Sequence, residues 1–190
     1  MPTITNDPAR RPVANYWKLA GAIVLALYYV SYASGDPTHS YANWNLIDSA
    51  DLVLHEGGHV IFSFFGEFIY ILGGSLTQVV LPCIFVAYFF IKKNYYSGSI
   101  LLFWVGQNIL YVATYMGDSI RQELPLLGGD NVIHDWNYLF TQMGVLQYTY
   151  VISNATRDVG YCLIACAALL CLWFSFEAAA RARMFGFLKR

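Results

Sequence analysis

HVIFSFFGEFIYILGGSLTQVVLPCIFVAYFFI, residues 59–91, contains a single residue that is charged at neutral pH, Glu67. As one straight helix it would extend roughly 50 Å, too long for a hydrocarbon core of about 30 Å. The chain must therefore break inside it. Within EFIYILGGSLTQVV, two β-prone runs flank Gly73-Gly74, which is a hairpin signal. Non-helical backbone is tolerated at membrane depth only where protein or a wet cavity covers it. The segment thus predicts a helix over 46–66, a short membrane-embedded hairpin over 67–76, and a further span over 77–91.

Further apolar runs extend over Tyr16–Ala33, Ile100–Met116 and Val159–Ala180. Hydrophobic residues make up 57% of the chain and charged residues 12%. That is too little polar surface to clothe a soluble core. The expectation is one polytopic domain, 1–190: an all-α integral membrane protein with about five spans (16–33, 46–66, 77–91, 96–117 and 158–180). A polar segment, 118–137, separates the last two, and 138–151 is expected to form an amphipathic surface helix. The implied partner is a lipid bilayer, placed in a bacterial cytoplasmic membrane. A net charge of −1 argues against nucleic acid. Arg10 and Arg11 precede no short cleavable apolar core, so the first span is read as a retained anchor. Cys83, Cys162, Cys166 and Cys171 lack CxxC spacing and read as small packing residues.

At the head of the quoted stretch stands His55-Glu56-Gly57-Gly58-His59. On a helix, residues four apart share a face, one turn from each other. Two imidazole nitrogens can then meet one metal ion at about 2.0–2.1 Å. Glu56 can reach a water held on that ion, take its proton, and pass it to a leaving amine. This is the HExxH logic of metal-dependent peptide hydrolysis. Ionisable groups within a membrane helix cost on the order of 2.5–3.5 kcal/mol each and usually mark a site. The glycines cost about 1 kcal/mol each in helix propensity, and small residues let a second backbone come close.

Asp51, one turn before His55, is placed either to hold that ring's second N–H or, as Asp48 is, to favour the positive end of the helix dipole. Two histidines leave a catalytic zinc one protein ligand short. Asp118, at the end of the apolar run FWVGQNILYVATYMGD, falls on the side toward which His59 points. His134 can fold back to the same level, with Asp135 beside it. His39 belongs to the opposite side. The third ligand is therefore open between Asp118 and His134, with Asp135 as a supporting or substrate-binding residue. Gln107 and Asn108, amides inside an apolar span, either bond neighbouring helices or donate to a substrate carbonyl.

With these residues in place, 45–137 resembles the site-2 protease family of intramembrane zinc metalloproteases. The likeness lies in HExxH within a membrane helix, the EFIYILGGSL segment after it, a further span, and then a span ending in an aspartate. The resemblance implies one Zn2+ ion, an aspartate third ligand matching Asp118 (set here in Met116-Gly117-Asp118-Ser119), and cleavage of membrane-protein substrates inside the bilayer. Two other readings remain open at this stage. One is a metal-binding membrane scaffold or sensor without proteolysis. The other is a zinc hydrolase acting on a non-peptide bond.

Overall fold

The computed structural model describes residues 14–34, 46–124, 126–127 and 132–176. Among the described residues there are six α-helices: α1 (Tyr16–Ser34), α2 (Leu46–Phe62), α3 (Glu67–Ile91), α4 (Tyr95–Gly117), α5 (Asp135–Gln142) and α6 (Thr149–Phe174). No strand occurs among the described residues; one isolated bridge joins Ala14 to Phe176. Three stretches, Glu67–Ile91, Tyr95–Gly117 and Leu146–Phe174, are long and apolar enough to cross a membrane. His39, Asp130, the tail beyond residue 176 and residues before 14 lie outside the described residues.

The expected hairpin over 67–76 is absent, because α3 runs unbroken through Gly73-Gly74. The chain does break, but earlier. A 3-10 turn, Ser63–Phe65, ends at Gly66, whose φ of 86° few side chains tolerate. Gly73 and Gly74 instead serve helix packing. A Cβ on Gly73 would sit 2.8 Å from the Gly58 carbonyl oxygen, and one on Gly58 would collide with the Gly73 carbonyl. The glycines of α2 and α3 thus let two backbones touch. Gly57 has no such neighbour within 4 Å.

α4 and α6 form the centre as an antiparallel pair. Gly106 and Gly160 face each other across it, each with a virtual Cβ 3.2 Å from the other's carbonyl oxygen. α1 lies along α6, with Ala22 and Tyr29 entering a core of Phe103, Leu110, Ile164, Ala167 and Cys171. A second core joins α3, α4 and α5 through Ile71, Val112, Met116, Trp136, Leu139 and Phe140. The expected surface helix over 138–151 is the eight-residue α5, seated inward on Leu139 and Phe140, which are almost wholly buried. α6 begins at Thr149, well before the expected 158, since its first two turns pack on the end of α4, as Ser153 does against Gly117. No cysteine is disulfide-bonded.

Gly58→Ala is expected to cost about 1–3 kcal/mol through backbone collision, whereas Gly57→Ala is expected to gain up to about 1 kcal/mol in helix propensity. Thermal unfolding of the purified variants in detergent measures both, and equal effects would contradict the crossing described.

Candidate metal centre

His55 and His59 project from α2 one turn apart, with ring centroids separated by 4.8 Å. The Nε2 of His55 lies 2.9 Å from Asp135 Oδ2, and that of His59 lies 3.3 Å from the same oxygen. These three form the one His/Cys/Asp/Glu group among the described residues that could hold a metal ion. Two ligand atoms on a tetrahedral ion with bonds of about 2.0–2.2 Å lie roughly 3.3–3.5 Å apart, so the spacing fits with little adjustment.

The outer ring nitrogens determine what faces the carboxylate. His59 Nδ1 lies 2.9 Å from the backbone carbonyl of Tyr70, and His55 Nδ1 lies 3.3 Å from Gln78 Oε1. Both partners are acceptors, so a neutral ring at either position carries its proton on Nδ1 and donates it. In that neutral form each ring presents its Nε2 lone pair to the Asp135 carboxylate. Three acceptors turned on one another repel unless a cation lies among them. Neutral imidazole oriented in this way, by a carbonyl on its far nitrogen, is a common metal-binding arrangement.

α3 supplies the floor. Tyr70, Gly74 and Gln78 recur at four-residue steps on the face that meets α2. A Cβ on Gly74 would stand 2.6 Å from His59 Nε2 and 2.7 Å from His55 Nε2. Only glycine leaves that space open. The three side chains retain 9%, 12% and 11% exposure for His55, His59 and Asp135, so the centre is enclosed but not sealed.

Asp135 arrives from α5. Its position depends on His134, the N-cap of that helix, whose Nδ1 accepts the Asn137 N–H at 3.3 Å. That leaves the His134 proton on Nε2, which donates to Asp118 Oδ2 at 3.3 Å. Asp118 caps the end of α4 and also accepts the backbone N–H groups of Glu123 and Leu124, each at 3.0 Å. Asn137 Nδ2 adds a bond to the Ser119 carbonyl at 2.8 Å, and the Tyr115 hydroxyl accepts the Asp135 N–H at 3.2 Å. Asp118 and His134, the two expected third ligands, thus bond each other and fix α5. The structure brings Asp135 to the histidines in their stead. Burial holds the His134 imidazole below its usual value despite Asp118 beside it.

Asp51 does not orient His55; its Oδ1 accepts Trp104 Nε1 at 2.7 Å and Asn108 Nδ2 at 3.2 Å. Gln107 donates to Asp48 at 3.1 Å and accepts the Tyr29 hydroxyl at 2.9 Å. Both amides bond between helices. Glu56 is half-buried, and its charge acts on His59. Sequence reading missed Gln78, the Tyr70 carbonyl and Gly74, because their common face exists only once the segment is helical. Asp135 carried a readable signal: it lies one turn before Leu139 on the apolar face of DWNYLF.

No family model, characterised protein or solved structure matches this chain.

Gln78→Ala frees the His55 ring and is expected to weaken divalent-metal affinity about 10–100-fold. Gly74→Ala is expected to lower it in the same direction. Competitive titration against a chelating dye reads both, with Gly57→Ala as the unchanged control.

Proposed function

We propose that this chain is a membrane-embedded zinc metallopeptidase, held in the bilayer by α1–α4 and α6 and cleaving peptide bonds of membrane-protein substrates. The observation that carries the reading is the convergence of two imidazole Nε2 atoms and one carboxylate oxygen, with Glu56 adjoining His55 in sequence. Two imidazoles and a carboxylate are a catalytic zinc set: three protein ligands leave a position for water. The likeness to the site-2 protease family points the same way, with Asp135 in the place expected of Asp118.

His55, His59 and Asp135 would hold the ion. Zinc, when bound, brings a water toward ionisation near pH 7 and polarises a carbonyl. Glu56 takes the proton from the attacking water and returns it to the departing amine nitrogen, and proton transfer of this kind contributes about 10²–10⁴-fold in rate. Gln78 and the Tyr70 carbonyl hold the rings in place, and Asp118 with His134 holds α5.

The face of α2 turned away from the histidines is open to lipid. Val53 and Val60 on α2, and Phe64 in the turn that follows it, are 70%, 71% and 92% exposed, and a Cβ on Gly57 would have no side chain within 4 Å apart from its chain neighbours.

Purified protein is expected to carry one zinc. His55→Ala, His59→Ala and Asp135→Ala are each expected to lose it, while Asp118→Asn keeps it at reduced affinity; elemental analysis reads the result. Glu56→Gln is expected to keep zinc and lose at least about 10²-fold in cleavage of a reporter membrane protein. Undiminished cleavage by that variant would overturn the proteolytic reading.

A further inference from the structure

Asp51 and Asn108 are fully buried between α2 and α4, and the functional reading uses neither. Asp51 Oδ1 accepts two donors, Trp104 Nε1 and Asn108 Nδ2. Asn108 Nδ2 also donates to the Trp104 carbonyl at 3.0 Å. Two atoms of this pair have no partner, Asp51 Oδ2 and Asn108 Oδ1, and both are enclosed. A carboxylate is acceptor-only, and so is an amide oxygen. The amide's donors are already spent, so no rotation of either side chain satisfies both oxygens.

One hydrogen does. A protonated carboxyl offers an O–H donor while its other oxygen still accepts. We propose that Asp51 is a neutral carboxylic acid whose Oδ2–H donates to Asn108 Oδ1, closing a cyclic acid–amide pair with the Asn108 Nδ2 bond to Asp51 Oδ1. That single proton accounts for both orphaned oxygens. It also removes an uncompensated charge from the interior, where an isolated carboxylate is costly and neutralises instead. Among the described residues no cation contacts Asp51. Its titratable neighbours are Asp48, whose Oδ1 accepts Gln107, and His55, which is turned toward Gln78 and Asp135. From α4 its hydrogen-bond partners among the described residues are Trp104 and Asn108. A second carboxylate nearby reinforces the preference for the neutral form. The pair is thus a proton-binding site that ties the histidine-bearing helix to α4 by uncharged hydrogen bonds. It rests on no part of the metal reading.

Infrared difference spectroscopy of the purified full chain in nanodiscs, metal-loaded and chelated, tests it. The wild type minus Asp51→Asn spectrum is expected to show the carbonyl band of a protonated acid, shifting in D2O and unchanged by chelation. Asn108→Ala, which removes a donor to that carbonyl, is expected to move the band to higher frequency. Asp51→Asn reproduces the closed pair with an amide N–H in place of the O–H. Its melting temperature is expected to stay within about 4 °C of wild type, whereas Asp51→Ala melts several degrees lower. A carboxylate signal with no acid band overturns the proposal, because an ionised Asp51 would then face water or a cation. So does Asp51→Asn melting as low as Asp51→Ala. If Asp51→Asn fails to fold, the wild-type and Asn108→Ala spectra decide: a shifted acid band supports the proposal, and no band or an unshifted one overturns it.

Discussion

The backbones of α2 and α3 touch at Gly58 and Gly73, and the candidate metal centre depends on that approach. With side chains at those positions the helices would separate. His59 Nδ1 would then lose the Tyr70 carbonyl, and His55 would lose Gln78. Once the approach is made, Gly74 leaves room in front of both Nε2 atoms. The glycines beside the histidines are thus part of the same device. Their helix-propensity cost of about 1 kcal/mol each is offset at Gly58 by packing and is left open at Gly57, on the outer face.

A bundle this apolar can use hydrogen bonds as ties, since an unsatisfied polar group in it is expensive. Each tie within the apolar bundle is modest, about 0.6 kcal/mol on average between membrane helices. Their value lies in direction. Gln107 links α1 and α2 to α4, and Trp104 with Asn108 links α2 to α4 one turn on. At the end of α4, Asp118 and His134 do the same for α5. Trp136 Nε1, donating to Ser75 Oγ at 3.1 Å, completes that helix's seat on α3. The position of Asp135 is therefore set from both sides.

Much of this was legible in advance. The ends of α1 and α4 fall within a residue or so of the expected 16–33 and 96–117, because polar residues bound both apolar runs sharply. The break after α2 was legible in length alone: the 33 residues of 59–91, with a single charge, are too long to cross about 30 Å of hydrocarbon in one helix. Its place was not. Gly73-Gly74 between β-prone residues reads locally as a turn, and only the partner glycine at 58, far away in sequence, makes it a crossing point. The His55 and His59 pair follows from helical spacing. The third ligand does not, since Asp118, His134 and Asp135 are chemically similar candidates. The choice among them rests on which nitrogen of His134 caps α5, a matter of tertiary geometry. Asp51 failed for a related reason: spacing along α2 places it near His55, but Trp104 on α4 claims it.

X-ray absorption at the zinc edge, on protein purified without chelators, tests the metal centre most directly. The account predicts a first shell near 2.0 Å of nitrogen and oxygen only, with multiple scattering from two imidazoles, and loss of one light-atom ligand but of neither imidazole in Asp135→Ala reloaded with zinc. A sulfur shell near 2.3 Å, a third imidazole, or an absorption edge no stronger than in His55→Ala/His59→Ala would contradict it.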